Sequence, residues 1–101
     1  RAQKRWQGQA EAALEELGDC LSAPGGVEQA AEAAALAESL DRFLEGLPQE
    51  KRVLFVRRYW YLCSIEELAA WSGKRRGTVS AALFRLRQDL REHLEGEGFT
   101  V

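Results

Sequence analysis

The segment Ser64-Ile65-Glu66-Glu67-Leu68-Ala69-Ala70-Trp71-Ser72-Gly73-Lys74-Arg75-Arg76-Gly77-Thr78-Val79 reads as a short helix, a tight turn and the start of a second helix. Ser64 and Glu67 have the S-x-x-E spacing of a capping box: the hydroxyl caps a free amide and the Glu reaches back to the cap residue. The spacing predicts a helix over residues 65–72. Gly73 ends it, in a conformation with positive φ that is easy only for glycine. Ala69, four residues earlier, is small enough for a following helix to cross closely. Val79, ten residues after Ala69, points back into the pair. A short helix, a tight turn and a longer basic helix form the outline of a helix-turn-helix. An ordinary helical hairpin in a bundle has the same outline, and each feature alone is weak. Together they are in register.

The helix after the turn is expected from residue 76 or 77 to about residue 94. Its inner stripe is Val79, Leu83, Leu86, Leu90 and Leu94, at steps of four, three, four and four. Working toward the N-terminus, residues 49–62 form a third predicted helix. It is crowded with Val53, Leu54, Phe55, Val56, Tyr59 and Trp60 and is expected to cross the core, with Trp60 and Trp71 both inside. Gly46 and Pro48 separate it from an Ala- and Glu-rich helix over residues 27–46, whose apolar side carries Leu36, Leu40, Phe43, Leu44 and Leu47. Ser22-Ala23-Pro24-Gly25-Gly26 breaks the chain before that. The first predicted helix covers residues 1–21, with Trp6, Ala10, Ala13, Leu14, Leu17 and Leu21 at three- and four-residue spacings. Trp6 belongs either to the core or to a contact with a further domain, and the helix has no obvious place to pack. The tail from Gly96 is expected to fray. The class expected is all-α: a helical bundle with a C-terminal helix-turn-helix. Residues 1–46 would be linker and N-terminal helices, 47–95 the helix-turn-helix domain and 96–101 the tail.

The chain has 101 residues, enough for one domain with a modest core. Its 46% hydrophobic and 30% charged residues suit a soluble globular protein. No apolar run approaches the ~20 residues of a membrane span. The polar start, residues 1–9, lacks the apolar core of a signal peptide. There is no methionine, even at position 1, which suggests a piece of a longer protein. Cys20 and Cys63 stand 43 positions apart and, with the single His93, make no metal-ligand spacing. They read as free thiols in a reducing cytoplasm, with a single disulfide between them as the alternative. No catalytic residue, metal or cofactor is expected: the chain has neither a Gly-rich phosphate loop nor an obvious nucleophile–histidine spacing.

The formal net charge of −2 hides an asymmetry. Residues 1–48 carry 4 basic and 9 acidic side chains, whereas residues 49–101 carry 10 basic and 7 acidic. Within residues 74–91 stand Lys74, Arg75, Arg76, Arg85, Arg87 and Arg91 against Asp89 alone. Screening limits each charge to a range of ~8–10 Å, so this local patch matters more than the sum.

A family resemblance rests on these residues. Leu47-Pro48, Arg57-Arg58-Tyr59, Ser64 to Ala69, Gly73, Gly77-Thr78-Val79, Leu83, Arg85, Arg87 and Leu90 resemble region 4 of sigma-70 family factors. The likeness is closest to the extracytoplasmic-function subgroup and covers about residues 47–94. It implies a winged-helix-like DNA-binding class without a wing. It also implies promoter recognition at the minus-35 element, docking on the beta-subunit flap of RNA polymerase core, and masking by an anti-sigma factor. Residues 1–46 resemble only loosely the linker between regions 2 and 4, and region 2 itself has no counterpart here. Two departures stand out. Lys74-Arg75-Arg76 replaces an isoleucine-serine-glutamate string, which removes the usual serine cap. Ser80-Ala81-Ala82 replaces a basic stretch.

At about 100° per residue, Gly77, Ala81, Phe84, Arg85 and Gln88 face away from the leucine stripe, with Ser80 and Arg87 on the flanks. In the helix-turn-helix mode the first residues of the second helix reach base edges in the major groove. The expected base-reading residues are therefore Arg76, Thr78, Ser80, Ala81 and Phe84. Phe84 has an alternative, burial under another helix of the chain. Lys74, Arg75, Arg85, Arg57 and Arg58 are expected at phosphates, which fix register without reading sequence. His93, near a helix end, is expected to have no role beyond favourable charge there. Two other functions fit the same residues: a stand-alone helix-turn-helix regulator, and a sigma-like protein-interaction module without DNA binding.

Overall fold

The computed structural model describes the backbone of residues 2–18 and 29–99, and the side chains of residues 8–18 and 34–99. The predictions for Trp6, Cys20 and Leu21 lie outside the described side chains. Among the described residues five helices follow in order: α1 (Ala2–Gly18), α2 (Gln29–Glu45), α3 (Gln49–Tyr59), α4 (Ile65–Ser72) and α5 (Arg76–Gly96). The all-α class is as expected, with no strand among the described residues.

The core is built around α5. Val79, Leu83, Leu86, Leu90 and Leu94 are all buried, as their spacing predicted, and Leu68 of α4 is fully covered among them. Phe43 of α2 and Phe55 of α3 close the cluster, their rings edge to face at 6.1 Å between centroids. Five leucines, one valine and two phenylalanines thus form one contiguous hydrophobic unit joining four helices.

The α2–α3 connection is held by one arginine. Arg52 donates from Nε to the carbonyl of Leu44 at 3.0 Å and from Nη2 to that of Leu47 at 3.1 Å. The Leu44 carbonyl also accepts the Leu47 amide at 3.1 Å, so Arg52 reinforces the turn that follows α2.

Three expectations about the interior are corrected. Trp60 is 78% exposed and Trp71 42% exposed, so neither is a core residue. Trp60 stands five residues after the buried Phe55, which places it ~140° round the helix from the core direction. In addition α3 stops at Tyr59, three residues early, because Leu62 takes φ +59 to turn the chain toward α4. Leu14 is 70% exposed although it was expected on the inner stripe of α1. The face that α1 presents instead is Gln9, Ala13, Glu16 and Leu17. Gln9 and Glu16 are drawn inward by a buried cation on α3.

The end of α5 also differs from the expected frayed tail. Phe99 packs on the core and donates its amide to Leu94 at 2.9 Å, while Gly98 takes φ +96. This is the cross-over that satisfies terminal carbonyls when a left-handed residue follows a helix. Glu97 is tied to Arg42 of α2 through Nε at 3.3 Å. That pairing holds the Glu97 carboxyl down to about 2. His93 bonds the carbonyl of Ser39 at 2.9 Å and lies against the Phe43 ring, so it is a structural link between α5 and α2.

Candidate nucleic-acid interface

The helix-turn-helix forms by local rules. The Ser64 hydroxyl accepts from the Glu67 amide at 3.0 Å, and the Glu67 carboxylate accepts from the Ser64 amide at 2.8 Å. The capping box read from the sequence is therefore present in both directions. Gly73 ends α4 with φ +73 and ψ 17, the left-handed conformation expected of it. The amides of Gly73 and Lys74 both donate to the Ala69 carbonyl, at 2.9 and 3.2 Å. Lys74 and Arg75 then bridge to α5, whose capping residue, Arg75, supplies no side-chain cap. The helix N-terminus thus keeps its partial positive charge, with three cations beside it and no acid in its first turn.

The outer face of α5 is open. Gly77, Thr78, Ser80, Ala81, Arg85 and Gln88 are exposed, and Phe84 is 51% exposed. Of the two readings of Phe84, burial under another helix is thus excluded. The α1 helix, which had no obvious place to pack, lies on α3 and touches α5 through Arg87. It leaves that outer face uncovered.

The cations divide into distinct environments. Arg76 donates from Nη1 to Glu66 of α4 at 3.0 Å, both side chains about two-thirds exposed. The Glu66 carboxyl lies below its ordinary range, first because a backbone amide bonds it and then because Arg76 does. Lys74 reaches Glu50 of α3 at 4.0 Å. The Arg57 guanidinium sits 4.4 Å from the centre of the Trp71 ring, a cation–π contact, and the residue is half-buried. Arg75 and Arg85 are exposed.

Arg58 is corrected. It was expected at a phosphate, yet it is 3% exposed. Its guanidinium donates to Glu16 at 2.7 and 3.3 Å, to the Gln9 side chain at 3.1 Å and to the Cys63 carbonyl at 2.8 Å. These partners come from α1 and from the loop before α4. They occupy the donors that a phosphate would need. Arg87, left on the flank by sequence reasoning, belongs to the same cluster: Nη1 donates to the Tyr59 hydroxyl at 2.8 Å and lies 3.4 Å from Glu16. The Tyr59 hydroxyl in turn donates to Glu16 at 2.8 Å. Burial pushes the Tyr59 phenol well above its ordinary range, and the Glu16 charge adds to that rise against the opposing pull of Arg87. The phenol stays protonated. Helical angles on α5 alone gave no signal for this cluster.

A helix-turn-helix with a bare outer face, cationic entry and a leucine-packed back has the shape of a major-groove reader. Residues 37–90 match the model of the family described as Sigma-70, region 4. The chain belongs to that family. The matched span begins within α2, earlier than the motif residues starting at Leu47. Region 4 is a DNA-binding module of transcription and not a family of enzymes. Its membership implies DNA and RNA polymerase as partners. No curated protein and no solved structure matches this region 4 chain. Among its described residues no helix is long and apolar enough to cross a membrane, and no group of His, Cys, Asp and Glu could hold a metal ion.

Proposed function

We propose that this chain reads the minus-35 element of a bacterial promoter for an extracytoplasmic-function sigma factor, with α5 lying in the major groove. The observation that carries the reading is the uncovered face of α5 from Arg76 to Arg85, set by a turn that Gly73 makes with φ +73. Residues 47–95 form the reading unit. Arg76, Thr78, Ser80, Ala81 and Phe84 meet base edges. Arg76 pairs with a guanine edge, for about 1–3 kcal/mol of discrimination, and Ala81 or Phe84 meets a thymine methyl. Lys74, Arg75, Arg85 and Arg57 meet phosphates, and the uncapped start of α5 receives one as well.

The exposed apolar surface is proposed to dock on the beta-subunit flap of polymerase core and to be the part an anti-sigma factor masks. Trp60 and Tyr61 are the large side chains it offers, 78% and 67% exposed. The cytoplasm is the compartment this function requires.

The test is duplex binding followed by fluorescence anisotropy, with promoter-like and random oligonucleotides at several salt concentrations. Phosphate contacts give a slope near −0.9 per contact in log affinity against log salt. Arg76→Ala is expected to weaken the promoter-like duplex selectively, and Arg75→Ala to weaken all duplexes alike. A flat salt response, or equal loss on both kinds of duplex for both variants, overturns the reading.

A further inference from the structure

We infer that Glu66, on the first helix of the helix-turn-helix, is a positioning residue that holds Arg76 for a guanine base and keeps it off the phosphate backbone. The inference rests on the proposed promoter-reading role of α5. Among the three cations at the turn, only Arg76 meets a carboxylate on α4, at 3.0 Å. Lys74 faces Glu50 on α3 at 4.0 Å, and Arg75 has no ion-pair partner among the described residues. The two ends of the Glu66–Arg76 pair lie ten residues apart, on the two helices that define the motif.

Exposed pairs of this kind add little stability. The contact is therefore poorly explained as a structural strut. Its geometry suits a recognition role better. Glu66 stands in the first turn of α4, where the helix dipole favours its charge and a backbone amide anchors its carboxylate. It engages Arg76 through Nη1. A guanidinium carries five donors in a planar fork, so the fork keeps enough to pair with O6 and N7 of guanine. The negative charge beside it opposes approach of a phosphate but costs little toward a neutral base. A carboxylate–guanidinium pair at this place therefore holds the arginine for a guanine edge and away from the backbone.

The experiment selects duplexes from a pool randomised at each position, using the wild-type chain, Glu66→Gln, Arg76→Ala and the double variant. Glu66→Gln keeps the shape and removes the charge. Wild type is expected to prefer guanine at one position on the order of 5- to 150-fold, the range of one good bidentate pair. Glu66→Gln is expected to lose most of that preference while binding random duplexes more tightly, with a salt slope steeper by up to ~0.9. In the Arg76→Ala background, Glu66→Gln is expected to leave base preference unchanged. Thermal midpoints of all four proteins should agree closely. The inference is overturned if Glu66→Gln keeps the full wild-type guanine preference, or if it weakens binding to random duplexes. A wild type whose preference survives Arg76→Ala, or which binds no duplex, overturns the base-reading role of Arg76 itself and this inference with it.

Discussion

Glu16 of α1 and Arg58 of α3 meet at 2.7 Å across 42 residues of chain, with the arginine side chain only 4% exposed and the glutamate 26%. One carboxylate receives hydrogen bonds from Arg58 and Tyr59 and lies within 3.4 Å of Arg87. With Gln9, which accepts from Arg58 at 3.1 Å, it fastens the N-terminal helix to the helix-turn-helix unit. A buried arginine without its acid would be an uncompensated charge.

Glu16→Ala is therefore expected to destabilise the chain by about 1–3 kcal/mol, below the full cost of breaking a buried pair because Glu16 keeps some solvent. Urea unfolding measures this. A double-mutant cycle with Arg58→Ala should show a coupling energy well above the few tenths of a kcal/mol of independent sites. Strict additivity would mean that the contact contributes nothing.

Stability should fall in acid, and Glu16 should account for part of the slope. Burial works to raise the Glu16 pKa, but bonds from Arg58 and Tyr59 outweigh it, and the folded value lies below the ordinary 4.5. A carboxyl depressed in the folded state adds stability that is complete above the unfolded value and is lost as pH falls through the folded one. Glu97, held down to about 2 first by Arg42, acts in the same direction. Thermal midpoints are expected to hold from pH 7 to about 5 and to decline below ~4.5. Glu16→Gln should start lower and decline less steeply. Parallel curves for the two proteins would count against the assignment.

At the turn, Ser64→Ala removes one half of the capping box and is expected to cost about 0.5–2 kcal/mol. Gly73→Ala should cost roughly 1–2 kcal/mol for a purely torsional reason. The added methyl meets nothing within 4 Å, but φ is +73. Chemical denaturation of both variants checks the pair.

Two large apolar residues should respond in opposite ways. Leu90 is fully buried, and Leu90→Ala is expected to cost about 2–5 kcal/mol. Trp60 is mostly exposed, and Trp60→Ala should fall within about 0.5 kcal/mol of wild type. A large loss at Trp60 would restore the core role that composition alone suggested.

Arg85 is exposed on the outer face of α5. Arg85→Ala is expected to lower the salt slope of duplex binding by ~0.9, as removal of one phosphate contact does. Its thermal midpoint should not change. An unaltered slope would remove Arg85 from the phosphate set.

Much of the helix-turn-helix was legible in the sequence because it is made by short-range rules. Ser64 with Glu67, Gly73, and the leucine steps of α5 each act within about one or two helical turns, so spacing alone reveals them. The open face of α5 followed from the same periodicity. Arg58 was misread for the opposite reason. Nothing within its own helix distinguishes it from Arg57, one residue away, yet Arg57 stacks on Trp71 while Arg58 is enclosed by residues from α1 and the loop before α4. Leu14 and Trp60 failed similarly: their apolar character was clear, but not whether a neighbour would cover them.

The sequence by itself determined the helical class, the position and caps of the recognition unit, and membership of the sigma-70 region 4 family. Tertiary structure decided that α1 folds back on α3, that Glu16 gathers Arg58, Tyr59 and Arg87, that Phe99 closes the end of α5, and that Arg76 is held by Glu66. Periodicity gives the angle of a side chain about its own helix axis. It cannot say which distant segment arrives opposite that side chain, because that depends on the path of the whole chain and on the balance between desolvating a charge and pairing it.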